Sequence, residues 1–511
     1  MHHVLCGLAA NTSLPSQLID RLIAVADADI AADLVRRADL TRAQAAALAS
    51  RVEESAVPLA YAGLLTADDV DPATRPDAAL ALLAERAGRV EWTRAFAEDP
   101  VVERREKLAA CPGLPPDVVE ILATDPDVRV VAELASWTSP ETAVGLAGHP
   151  HAEVRRALAA NEATPPAVLA ALLTGEGLPP ARLCLVCARE RIPFTHDPHC
   201  PRLDCDLPPG ASCDGSHESS THETQRMALL NPTTPTEAVP DFAEHPSVLL
   251  RWALAGRRDL PPEVCARLAC DPNPGVRADL AENPAIDDVV TRVLAGDREH
   301  EVRRRLAHNP LVPLEVLIDL ARATRIGATL LPRIARASSD EVVGLAASPD
   351  PAARLLVAQR RDLSSVVREA LAADTDAKVA KSVAPHPGLP EGMLRAMLER
   401  HGPRVAAQVA ANPDATSALL ETLTRHQAPA RKALRAIAAH PNASVPALLA
   451  CLADARARPV AARHAALPPS VAEKLLTDAD WRVVEAAAAN PSLPEDVMSA
   501  LIPRPRSRGT A

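Results

Sequence analysis

Leu306-Ala307-His308-Asn309-Pro310-Leu311-Val312-Pro313 is a sentence that this chain repeats, with small variations, from Leu280, Leu108, Val383, Val409 and Ala487. With the Asn or its stand-in as anchor, Arg257, Asn283 and Asn309 lie 26 residues apart, as do Arg360, His386 and Asn412, and again His464 and Asn490. A period of that length means stacked supersecondary units rather than one globular core, so the 511 residues count repeats and not domains.

Each unit reads as two short helices. Val276, Leu280 and Ala281 precede Asn283 by seven, three and two residues, and Val302, Leu306 and Ala307 keep those offsets before Asn309, one helix face in each case. The proline after the anchor restricts the residue before it and brings no amide hydrogen, so the first helix stops there. A second proline (Pro115, Pro261, Pro313, Pro390, Pro494) marks the start of the second helix. Acidic Asp117, Glu263, Glu315, Glu391 and Glu495 follow in its first turn, where the helix dipole favours them. Seven, eight and eleven residues after the anchor come the apolar positions of that helix: Val118, Val119 and Leu122; Val264, Cys265 and Leu268; Val316, Leu317 and Leu320; Met393, Leu394 and Met397; Val497, Met498 and Leu501.

One unit buries too little to offset its own ordering, so interior units must be covered on both faces, and the first and last are expected to act as caps. The expected fold is all-α, a solenoid of about 15–18 two-helix repeats, with degenerate units near residues 86 and 337. The short helix, the Asn-Pro or His-Pro turn, the Leu-Pro step and the second short helix resemble the variant leucine-rich repeat family. That resemblance implies a right-handed superhelix of α-helices alternating with shorter, partly 3₁₀ helices, and some members of the family carry an iron–sulfur domain beside the repeats. This chain departs from the pattern twice: many units are 26 residues rather than the family's shorter one, and its cysteine-rich segment is internal.

The period breaks once. Asn161 to Asn231 is 70 residues, 44 more than one unit, and the surplus holds half of the ten cysteines. The expected organisation is helical repeats over 1–182, an insertion over 183–224, repeats over 225–502 and a tail over 503–511. Within the insertion stand Cys184, Cys187, Cys200, Cys205 and Cys213, with His196, His199, His217 and His222. A C-x2-C pair hands two thiolates to one metal from a single turn, and a second pair a dozen residues on completes a tetrahedron. A segment rich in Pro, Asp and Ser has too little apolar content to fold without such a staple.

Four readings stay open: zinc on Cys184, Cys187, Cys200 and Cys205; an iron–sulfur cluster drawing on Cys213, with or without His217; zinc on another subset; or unliganded thiols. The second arises because Cys213-Asp214-Gly215-Ser216-His217 resembles the signature of the CDGSH iron–sulfur proteins, which implies Cys213 and His217 as ligands. The preceding C-x-C of that family is replaced here by Cys200-x4-Cys205. The cysteines within repeats, Cys6, Cys111, Cys265, Cys270 and Cys451, read instead as small buried apolar residues.

Composition narrows the function. A net charge of −11 argues against a general nucleic-acid binder, and 2% aromatic residues leave few platforms for base stacking. The start of the chain lacks an export signal, no apolar stretch reaches bilayer length, and a cytoplasmic protein is expected. No His-Glu-x2-His, phosphate-cradling glycine loop or nucleophile elbow is present, and four thiolates on one zinc leave no position for substrate, so no enzyme is expected.

Two charged lines run through the period: Arg155, Arg251, Arg277, Arg303 and Arg354, six before the anchor, and Asp125, Asp271, Asp297, Asp374 and Asp478, fourteen after it. They read as helix caps and ladder-paired charges, as a stripe for a protein partner, or as a track for duplex DNA. The expected function is a non-enzymatic protein-interaction scaffold with a structural metal site. The alternative is a redox- or metal-responsive adaptor with an iron–sulfur cluster.

Overall fold

The computed structural model describes residues 1–184, 218–425 and 431–503. Among these, regular structure is helical apart from one isolated bridge that pairs His151 with Leu183. The helices are short and alternate as the period requires. In one repeat, Pro274–Glu282 buries Val276, Leu280 and Ala281, and Asp288–Ala295 then buries Val290, Thr291 and Leu294. In the next, His300–Leu306 buries Val302 and Leu306, and Leu314–Ala323 buries Val316, Leu317 and Leu320. The expected core face holds, except that Val119, Met393, Val497 and Leu501 are half-buried. The prolines at the second step sit just ahead of the helix, where the Pro313 carbonyl accepts from Leu317 N–H and the missing donor costs nothing. Short 3₁₀ segments occur at Glu53–Ser55, Thr236–Ala238 and Pro240–Glu244.

The anchor residue joins one repeat to the one before it. Asn309 is buried, and its Oδ1 accepts from Leu311 N–H, holding its own turn. Its Nδ2 donates to the carbonyls of Ala281 and Asn283, 28 and 26 residues back, at 3.1 and 2.8 Å. Asn283 does the same toward Ala255 and Arg257. Arginine and histidine serve in the same place: Arg257 Nη1 reaches the Leu229 and Asn231 carbonyls, and His440 Nε2 reaches the Asn412 carbonyl while its Nδ1 accepts from Asn442 N–H. The anchor is therefore more than the local turn-stabiliser its sequence position suggests. It bonds carbonyls at the C-terminal end of the previous repeat's first helix, adding to the turn bond that the anchor carbonyl there accepts, as Asn231 does from Thr234 N–H.

The chain divides into two compact units, one formed by 71–327 with 331–333 and the other by 1–70 with 328–330 and 334–511. In the first, Asn231 Nδ2 donates to the carbonyls of Ala159 and Asn161, so the repeat after the insertion stacks on the repeat before it as though nothing intervened. Two anchors are displaced by three residues, Asn161 bonding Ala135 and Thr138 in the first unit and Arg360 bonding Ile334 and Ala337 in the second. The degenerate repeat near 337 thus has its anchor at Ala337.

In the second unit the expectation of terminal caps is overturned. Asn11 Nδ2 donates to the carbonyls of Ala488 and Asn490 at 3.0 and 2.8 Å, the same pair that Asn490 itself finds in Ala462 and His464. Arg37 then continues the ladder onto Ala9 and Asn11. The first repeat in sequence is thus the next repeat after the last. Arg21 ties this seam with bonds to Ser499 Oγ, the Ser499 carbonyl and the Ile502 carbonyl, and His3 stacks on Trp481 with ring centres 4.7 Å apart. Gly7 makes the close approach possible, since a Cβ there would lie 2.2 Å from the Glu485 carbonyl oxygen. Each side of the seam hides the surface that a cap would have had to make polar.

Candidate functional site

The insertion leaves the first unit after the helix Pro166–Thr174 and returns at Glu218–Leu230. On its way out, Arg182 and Leu183 N–H donate to the Pro150 carbonyl and the Leu183 carbonyl accepts from Ala152 N–H. This short pairing fixes the next residue, Cys184, at 1% exposure. Of the residues expected to hold metal, Cys184 is the one that is described; Cys187, Cys200, Cys205, Cys213 and His217 lie outside the described residues, as do residues 504–511 of the expected tail. His222, counted with the insertion by its sequence position, stands on the helix after it with Nε2 2.6 Å from Ser247 Oγ.

The thiols within repeats behave as apolar packing. Cys6, Cys111, Cys265 and Cys451 are buried, and burial pushes each thiol up to about 11, far from the thiolate that a metal or a nucleophilic step requires. Cys270 differs in being exposed. His308, His386 and His440 sit in turns: His308 Nδ1 lies 3.0 Å from the Arg304 carbonyl, and His386 and His440 occupy anchor positions.

The two charged lines meet inside the stack. Arg277 places Nε and Nη2 2.6 and 3.1 Å from the two carboxylate oxygens of Asp297, and its Nη1 donates to the Asp271 carbonyl. Arg105 with Asp125, Arg251 with Asp271 and Arg354 with Asp374 repeat this fork. Each of these aspartates also accepts the N–H two residues on, as Asp297 does from Glu299. Burial alone would raise Asp297 and Asp374, but the arginine bonds prevail and hold both carboxyls below the usual range. The stripe reading, for a protein or for DNA, therefore fails at these pairs: the fork clasps one repeat to the next and keeps no face for a phosphate.

What recurs outward is apolar. On the second helix Val144 and Val343 are exposed at the fifth residue, and one turn earlier, at the second residue and six after the anchor, Val289 and Val366 are exposed by 70% and 77%. Sequence reading passed over the latter position because other repeats fill it with Asp, Glu or small residues. It also passed over an exposed group in which His2 lies 3.3 Å from Asp27 and 3.1 Å from Asp29, residues that only packing between helices brings together. No helix among the described residues is long and apolar enough to cross a membrane.

No family model matches the chain, and no curated protein does. Among solved structures, the chain is similar to a leucine-rich repeat variant described as having a novel repetitive protein structural motif, with 18% identity over 54% of this chain and 88% of that one and a TM-score of 0.29.

Proposed function

We propose that this protein is a non-catalytic scaffold of the cytoplasm whose helical repeats present an apolar surface to a protein partner, with the insertion held together by a zinc ion on its cysteines. The observation that carries the reading is the recurrence of exposed valines within the first two turns of the second helix, Val289 and Val366 at its second residue and Val144 and Val343 at its fifth, while the polar side chains that recur with the period are used between repeats. Isolated exposed valines are ordinary, but Val343 and Val366 stand on consecutive repeats, which turns single residues into a line. The zinc part draws support from the C-x2-C pair and from Cys184, which enters the insertion buried rather than solvated.

The double variant V343D/V366D tests the scaffold. It touches no buried group, so its circular dichroism should match the wild type while partners crosslinked by the wild-type chain are lost. Recovery of the same partners in the same yield would refute the reading. Elemental analysis of protein purified without oxygen should find about one zinc per chain in colourless material. The pentapeptide Cys213–His217 favours one other reading, an adaptor whose iron–sulfur cluster alters partner affinity with oxidation state, and brown protein containing iron and sulfide would select it.

A further inference from the structure

The clasp between repeats is interrupted beside the insertion. Fourteen residues after Asn161, where Asp297 and Asp374 stand in their own repeats, the chain has Gly175 with a φ of 77°. Arg155, six before that anchor, is nonetheless buried, with 8% exposure, and no carboxylate among the described residues pairs with it. Its Nε donates to the His149 carbonyl at 2.8 Å and its Nη2 to the Gly148 carbonyl at 3.4 Å. A guanidinium has five N–H donors, so three are left without a partner among the described residues. Arg303 also lacks its aspartate, but it is only half-buried and donates instead to Thr324 Oγ1 and the Asp297 carbonyl. Burial pulls Arg155 below its ordinary value, whereas aspartate bonds push Arg105, Arg277 and Arg354 above theirs.

Arg155 lines a cavity of about 370 Å³ whose walls include Leu172, Leu178, Pro179, Thr221 and Thr224. That volume suits a small ligand, and apolar walls around one desolvated cation are the make-up of an anion site. We propose that this cavity binds a small aliphatic carboxylate, either free or at the end of a peptide side chain, which pairs with Arg155 as aspartate pairs with the arginines of the regular repeats. The hydrocarbon part lies against Leu172, Leu178 and Pro179. Carboxylate is preferred over phosphate because every complete clasp in the stack is a planar fork on a planar carboxylate. The inference is independent of the partner reading, since it concerns a different place and a different chemistry.

The test is a calorimetric titration of the full chain with butyrate, butyramide, inorganic phosphate and the N-acetylated, C-amidated glutamate. Butyrate should bind, and butyramide, with the same shape and no charge, should bind at least tenfold more weakly. Arg155→Met should weaken butyrate at least tenfold, while Arg156→Met, which removes the same charge one residue away from an exposed side chain, should leave it unchanged. If Arg155→Met does not fold, Arg155→Lys keeps a cation in the cavity and removes the fork, and it too should weaken butyrate severalfold. The glutamate derivative binding more tightly than butyrate identifies a peptide side chain as the source, and the reverse identifies a free carboxylate. Phosphate binding more tightly than butyrate, an Arg156→Met effect as large as that of Arg155→Met, or unchanged affinity in the Lys variant would each overturn the proposal.

Discussion

Replacing Asn412 by alanine tests the ladder at a place where the geometry is complete. The side chain is fully buried, Nδ2 donates to the Ala384 and His386 carbonyls at 2.6 and 2.7 Å, and Oδ1 accepts from Asp414 N–H at 2.9 Å. Alanine removes three bonds and leaves two carbonyls and one amide without those partners in a dry interface. At about 1 kcal/mol net per bond, with a further charge for buried groups left unsatisfied, the loss comes to roughly 3–4 kcal/mol. A single unfolding midpoint is a poor readout in a repeat array, whose units need not melt together. Hydrogen exchange resolved by mass spectrometry reads the interface locally. Peptides from the helix Ala377–Val383 and from Pro403–Ala410 should lose protection by roughly two to three orders of magnitude. Asn442→Ala is the control, because Asn442 is exposed and its side chain gives up one bond, to the Ala415 carbonyl at 3.1 Å. A change under tenfold for Asn412→Ala, or one no larger than the control's, would refute the claim that anchors hold repeats together.

The seam can be tested through Gly7, where alanine would place its Cβ 2.2 Å from the Glu485 carbonyl oxygen and 2.6 Å from Ala488 Cβ. Overpacking of this kind costs about 1–3 kcal/mol, so exchange in residues 1–70 should speed up while residues 71–327 keep their protection; equal protection throughout would show that the seam is not a tight contact. His386 should make the protein acid-sensitive. Its Nδ1 is buried without a partner among the described residues, and burial, helped by Arg361 and Arg368, pulls the imidazole down to about 4. Above its unfolded value of about 6.5 it is neutral in both states. Between there and 4 only the unfolded chain takes the proton, so stability falls with pH by up to ~3 kcal/mol. His386→Asn installs the anchor used by other repeats and should flatten that slope in urea unfolding at pH 7, 5.5 and 4.5; an unchanged slope would place the acid sensitivity elsewhere.

The period, the helix breaks and the buried face were legible because Asn-Pro and Leu-Pro punctuate the chain at fixed intervals. The direction of the charged lines was not. Equal offsets place Arg277 and Arg303 on one line, but no offset says whether the line faces solvent or the next repeat, and the fork to Asp297 depends on how far one layer sits from the next. For the same reason no offset reveals the reach of Asn309 to Ala281. The seam was hidden in another way. Asn11 follows the repeat grammar, yet grammar cannot say which repeat lies beneath it, and the answer is more than 470 residues away in sequence. The Arg155 cavity did leave a trace, since the register that predicts Asp finds Gly175, and an unfilled position becomes visible once the Arg–Asp pairing is known. The metal ligands were suggested by spacing alone, and of them only Cys184 falls among the described residues.

Because Asn11 stacks on Asn490, the order in which the ribosome releases the chain differs from the order in which the layers pile up. Residues 1–70 emerge first, but the surface they need, Trp481 to Ile502, follows after roughly 410 more residues, or about 20–80 s at 5–20 residues per second. In that interval residues 71–327 can complete their own unit, while the nascent first repeats carry an uncovered apolar face. Residues 1–70 can thus settle against their neighbours only after Trp481 to Ile502 have been made.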